Sequence, residues 1–250
     1  MSRIITSRIT TIKEKPQVPP GYDSINVLSW HSYDTKYYEL SPYHLRTDGK
    51  EDQVNPGGVI FENWWQGSKT YPKVYPIEVY CHPSKRGDPR FLWYKSTRNE
   101  PHIDSNENVL PEYYSWRKEL FSCQHPIRYP NGSKHRHECK FLLLNKSDGS
   151  SERLDYLSGR KRVYSQEYKR LVRQLPIYQT ILSKLKTDPN YKICISEIDV
   201  PCSTKKGHYN CKDPFFQCTQ ESLELLLNDP SEAYGHGLAL ASAFLEDLSI

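Results

Sequence analysis

The chain has 250 residues, 36% of them hydrophobic, with 34 lysines and arginines against 30 acids. That length allows one large domain or two small ones, and so even a charge balance does not by itself argue for nucleic acid. Neither a run near the roughly 18 apolar residues of a membrane span nor a secretory h-region is found, and the seven irregularly spaced cysteines suit reduced thiols in an intracellular, cytoplasmic or nuclear protein.

Taken in order, residues 1–24 read as a flexible arm, closed by Pro16, Pro19, Pro20 and Gly21. Residues 24–30 suit a first strand. Residues 37–45 mix aromatics with Glu39, Ser41 and His44, and Gly57-Gly58 deliver the chain into a short helix over 62–69. Residues 77–80 and 90–94 are extended candidates between proline-rich turns. Pro111 suits the first position of a helix running to about Phe121, with Tyr113, Trp116 and Leu120 as its packing stripe. Residues 140–144 are apolar but too few for periodicity to choose strand or helix. A helical region spans about 153–186, interrupted at Pro176, and 192–200 is the best strand pattern. A cysteine-containing loop over 201–218 leads to Thr219, which caps a helix through Asn228 with Glu221 in its first turn. The last helix opens on Gly235-His236-Gly237.

Within the 62–69 helix, Glu62, Gln66 and Lys69 fall at i, i+4 and i+7 beside Trp65. On spacing alone the simplest account is an exposed Glu–Lys face over buried tryptophans. An acid, an amide and a base sharing one stripe with an indole also suit a polar ligand held against a flat ring. Gly235-His236-Gly237 starts a helix whose free N–H groups suit an anion such as phosphate, although a plain buried helix is the simpler account. The basic run from Arg160, Lys161 and Arg162 to Lys169, Arg170 and Arg173 carries Tyr164 and Tyr168. Such a mixture can bind single strands but more often forms a solvated helix face. His135, His137 and Cys139, with Cys123 and His125 upstream, lack the usual zinc spacing. The loose set Cys202, His208, Cys211 and Cys218 is weaker still, so no metal or cofactor is assigned.

Several of these segments together resemble the NADAR superfamily. The residues carrying the resemblance are Leu40-Ser41-Pro42-Tyr43 after Glu39, then Asp48-Gly49-Lys50, then Glu62, Trp64, Trp65, Gln66 and Lys69. A strand ending in an acidic turn at Glu197 and Asp199 follows, and the closing helix begins at Gly235-His236-Gly237-Leu238. His236 stands where the family pattern carries an asparagine, and only Gly207 stands in for its Trp-Gly-x-Gly segment.

The resemblance implies an α+β, mainly helical domain over 25–250, with short strands and extra material near 75–110 and 121–160. It implies hydrolysis of the bond between base and ribose in a phosphoribosyl or ADP-ribosyl compound. Glu62 and Lys69 would be the catalytic pair. Ser41, Trp65, Gln66, Glu197, Asp199, Gly235, His236 and Gly237 would bind substrate. The alternative is a non-catalytic module that binds nucleotide, ADP-ribose or, through 160–173, nucleic acid.

Overall fold

The computed structural model describes residues 2–9, 16–28, 36–49, 57–81, 85–127, 136–146, 149–200 and 214–249. Its strands are β1 (Ile4–Arg8), β2 (Asp23–Asn26), β3 (Ile77–Tyr80), β4 (Leu92–Ser96), β5 (Leu142–Asn145), β6 (Ser151–Leu154), β7 (Ile193–Glu197) and β8 (Phe215–Gln217). Its helices are α1 (Phe61–Gly67), α2 (Pro111–Ser122), α3 (Tyr156–Gly159), α4 (Gln166–Val172), α5 (Pro176–Thr187), α6 (Gln220–Asn228) and α7 (His236–Leu248). A π turn, Arg160–Ser165, lies between α3 and α4. The mixture of helix and short strands expected from the sequence is therefore present. None of the described helices is long and apolar enough to cross a membrane.

The chain divides into two compact units rather than one domain behind an arm. Unit 1 comprises residues 1–42 and 160–250, and unit 2 comprises residues 43–159, inserted between the two parts of unit 1.

Unit 1 is built on a four-stranded sheet in the order β2-β7-β1-β8. Strand β7 runs parallel to both β1 and β2, whereas β8 runs antiparallel to β1. The flexible arm expected over 1–24 is thus corrected. Ile4 to Arg8 form an inner strand, and Ile4, Ile5, Thr6 and Ser7 are buried. Ile4-Ile5 cover both faces at one end of the strand, which suits a position flanked by neighbours on either side. Phe215 to Gln217 likewise form a strand at the end of the span expected to be loop. Helix α7 packs on β1 and β7 and also contacts α4, α5 and α6. Its buried Ala239, Ala241 and Ala243 permit close approach, while Leu238, Leu240 and Phe244 fill the core.

The basic run over 160–173 is only partly a solvated face: Arg162 is exposed and Lys161 half-buried, but the other cations are engaged within the unit. Arg160 is buried and donates from Nη1 to the Glu232 carbonyl at 2.7 Å. Its Nη2 donates to the carbonyls of Leu227 at 2.7 Å and Asp229 at 2.8 Å. The guanidinium therefore closes the C-terminal end of α6, where carbonyls lack helical partners. Buried Lys169 pairs with Glu246 at 2.6 Å, and Arg173 reaches Glu246 at 2.7 Å and Asp247 at 2.8 Å. Arg170 pairs with Glu167 one turn earlier. Arg160, Lys169, Arg170 and Arg173 thus make contacts within the unit itself.

Unit 2 contains the hairpins β3–β4 and β5–β6 and the helices α1, α2 and α3. Residues 151–154 pair with β5 as a strand, so the helical region starts three residues later than the sequence pattern suggested. The core cluster gathers Tyr71, Tyr94, Tyr113, Trp116, Leu120 and Phe141. Gly67 sets the approach of α1 to α2, because a Cβ there would lie 2.6 Å from Cε1 of Phe121.

Candidate functional site

The polar stripe of α1 lies wholly within unit 2. Helix α1 starts after Ile60 with no side-chain cap and carries Glu62 in its first turn, where a negative charge complements the helix dipole. At the other end, Ser68 Oγ donates to the Trp64 carbonyl at 2.9 Å and Tyr113 Oη donates to the Gly67 carbonyl at 2.8 Å. The helix therefore stops at Gly67, and Lys69 lies beyond it rather than on its last turn. There the backbone of Lys69 bridges Leu142, while Thr70 N–H donates to the Phe141 carbonyl at 2.9 Å.

The side chain of Lys69 nevertheless returns to the stripe. Its Nζ donates to Gln66 Oε1 at 2.9 Å, and Gln66 Nε2 donates to Glu62 Oε1 at 2.8 Å. An ammonium can only donate, so the amide must present its oxygen to Lys69 and its NH2 to Glu62. Gln66 thus holds the acid at one end and the base at the other. Both charges are withdrawn from water, with Glu62 5% and Lys69 4% exposed. An exposed Glu–Lys face is excluded by those values.

Two rings complete the arrangement. Lys69 Nζ lies 4.7 Å from the Trp65 ring centroid and 5.6 Å from that of Tyr156, and the two rings are 6.1 Å apart. Ring faces attract a cation, so they hold the ammonium where Gln66 does not. Tyr156 was not among the sequence candidates, because its proximity depends on the β5–β6 hairpin that precedes α3. Asn63 was missed as well. Its Nδ2 donates to the His125 carbonyl at 2.9 Å and its Oδ1 accepts from Ile127 N–H at 2.7 Å, tying α1 to the segment after α2.

A second group of candidates sits in unit 1, at the carboxyl end of β7. Glu197, the last residue of that strand, is 1% exposed. Its Oε1 accepts from Ile198 N–H at 2.7 Å and Asp199 N–H at 3.1 Å, and its Oε2 accepts from Gly237 N–H. The anion that the glycine-led helix start was expected to attract is supplied by the chain itself. Gly235 and Gly237 are required by that carboxylate. A Cβ on either would come within 2.8 Å of its Oε2, at 2.6 Å from Gly235 and 2.8 Å from Gly237.

His236 Nε2–H donates to the Val27 carbonyl at 2.8 Å, since a carbonyl can only accept, and Nδ1 is 3.7 Å from Glu197 Oε2. Ser41 is buried after a 3-10 turn, Tyr38–Leu40. That turn is fixed by Tyr168, whose Oη donates to the Leu40 carbonyl at 2.6 Å. Burial, with the Glu197 charge nearby, raises the Tyr168 phenol well above its ordinary range, so it stays protonated as a donor. Its ring centroid is 6.4 Å from that of His236. The structure therefore joins Glu197, Asp199, Gly235, His236 and Gly237 in one unit, and Glu62, Trp65, Gln66 and Lys69 in the other.

His135, Cys202, His208, Cys211, Lys50 and Gly207 lie outside the described residues. Among the described residues no group of three or more His, Cys, Asp and Glu side chains is arranged to hold a metal ion. Cys139 is a half-buried thiol, pushed up to about 11 by desolvation although Lys69 acts in the opposite sense. Comparison with protein families, curated proteins and solved structures finds no match to this chain.

Proposed function

We propose that the chain is an N-glycosidase of NADAR-like type, hydrolysing the bond between a base and ribose in a phosphoribosyl or ADP-ribosyl compound inside the cell. The observation that supports this reading is the buried Glu62–Gln66–Lys69 chain beside Trp65. Burying a carboxylate and an ammonium is costly, and the Gln66 amide bonds to both. A site that acts on charge developing in a substrate has use for both groups held at fixed positions.

In this reaction the C–N bond breaks as water adds to the ribose carbon, through an oxocarbenium-like transition state. The Glu62 carboxylate stabilises that positive charge and takes the proton released by the water. Lys69 delivers a proton to the departing base, so that charge and atoms balance. Trp65 stacks the base, and Gln66 keeps the acid and the base at a fixed separation.

The test is release of free base from phosphoribosyl-linked pyrimidine intermediates and from ADP-ribosylated nucleic acid. Glu62→Gln preserves shape and removes the charge, so turnover should fall roughly 10²–10³-fold, as for loss of one preorganised electrostatic contact. Substrate affinity should change far less. Equal turnover by wild type and variant would remove Glu62 from the chemistry. An inert wild type that still binds ADP-ribose would favour the non-catalytic module. That second reading draws on the Lys69 ammonium, held by Gln66 and two rings as a fixed positive charge.

A further inference from the structure

Unit 2 holds a cavity of about 510 Å³ that shares no residue with the Glu62–Gln66–Lys69 chain. Its walls include Val59, Tyr114, Arg117, Lys118, Phe121 and Asn145. Four of these come from α2, on the face beside the stripe that enters the core. The volume is that of a small-molecule site.

Arg117 distinguishes this cavity from an ordinary surface groove. It is only 6% exposed, yet among the described residues no hydrogen-bond acceptor meets its Nε or Nη1. The guanidinium carbon instead lies 5.0 Å from the Phe121 ring centroid and 6.0 Å from that of Tyr113. A guanidinium remains charged at any pH a protein meets. Ring faces compensate it only partly, so buried donors without acceptors leave a strong demand for an anion. Lys118 adds a second positive charge, and none of the lining residues is an acid.

We propose that this cavity binds a small molecule that joins an oxyanion, carboxylate or phosphate, to an apolar planar body. The oxyanion meets the Arg117 fork as the guanidinium turns off the Phe121 ring. Planar donors in fixed geometry suit two oxygens of one anionic group. The body packs between Val59, Phe121 and Tyr114, and Tyr114, being 49% exposed, can turn aside at the mouth. Asn145 supplies a neutral polar contact.

The experiment is calorimetric titration of the full chain with phenyl phosphate, benzoate, inorganic phosphate and benzylamine. Saturable one-to-one binding of phenyl phosphate or benzoate is expected, and the tighter of the two identifies the anionic group. Inorganic phosphate should bind at least about ten-fold more weakly, and benzylamine not at all. Arg117→Met should weaken binding roughly ten- to hundred-fold. It should leave the melting temperature unchanged or higher, because a buried unpaired charge has been removed. Arg117→Lys retains the charge without the fork and should also lose affinity, which keeps the test decisive if the Met variant fails to fold. Absence of saturable binding by both aromatic anions would overturn the proposal. So would undiminished affinity in a folded Arg117 variant, or inorganic phosphate binding as tightly as phenyl phosphate.

Discussion

The carboxylate of Glu197 fills the space that a side chain on Gly235 would occupy, 2.6 Å from where that Cβ would sit. Gly235→Ala should therefore destabilise unit 1 by about 1–3 kcal/mol through overpacking. Glu197→Ala should also destabilise, because the N–H groups of Ile198, Asp199 and Gly237 lose their acceptor. Combining the two should cost less than their sum, since each relieves part of what the other disturbs. Urea midpoints of the single and double variants measure the coupling, and strict additivity would contradict the contact.

Gly67 poses the same problem in unit 2, against Phe121. Gly67→Ala should cost about 1–3 kcal/mol despite alanine's better helix propensity, and Phe121→Leu should recover part of it. A neutral or stabilising Gly67→Ala would mean that α1 and α2 can separate without penalty.

Arg160→Lys should destabilise rather than alter nucleic-acid affinity. One ammonium has at most three donors and no planar fork, so it cannot serve the carbonyls of Leu226, Leu227, Asp229 and Glu232 together. A loss of about 1–3 kcal/mol is expected for the stranded carbonyls. Binding of a fluorescent oligothymidine, measured beside the melting curve, separates this from a recognition role. A variant that melts like wild type but loses the oligonucleotide would reverse the assignment.

His102 gives a pH dependence whose sign is fixed. Burial among Tyr71, Tyr113 and Trp116 lowers its pKa from 6.5 to about 3, with a backbone bond to Lys69 opposing the shift. The unfolded chain thus takes up a proton that the folded chain refuses. Stability from this residue is complete above pH 6.5 and lost as pH falls toward 3, by on the order of 4 kcal/mol at the lower limit. Urea titrations across that range should show a shallower decline for His102→Gln than for wild type. An imidazole that titrates in the folded protein near its ordinary value would contradict the burial argument.

What could be read from sequence was local. Pro111 announced α2 and Thr219 announced α6, because a fixed φ and a capping hydroxyl act within one turn. Glu62 and Gln66 were legible as neighbours on one face for the same reason, whereas Lys69, expected on that helix, lies beyond its end. Gly67 ends α1 against Phe121, a residue from another helix. Strand β1 was hidden because Thr6, Ser7 and Arg8 are buried or paired only through β7 and β8, far along the chain. The partner of the Gly237 N–H was hidden in the same way. Free N–H groups are visible in a sequence, whereas the carboxylate that meets them arrives from β7.

The placement of β1 between β7 and β8 governs the order in which a nascent chain can mature. Residues 43–159 make up unit 2, so the partners within that unit are all present once residue 159 has left the ribosome. Among the described strands Ile4 to Arg8 come first, yet their neighbours, residues 193–197 and 215–217, are translated only after the whole of unit 2. Until they appear Ile4 and Ile5 wait without a sheet, which is the circumstance in which strand edges seek the wrong partner. Aggregation of newly made chains should therefore be governed by Ile4 and Ile5, long before either residue contributes to the finished core.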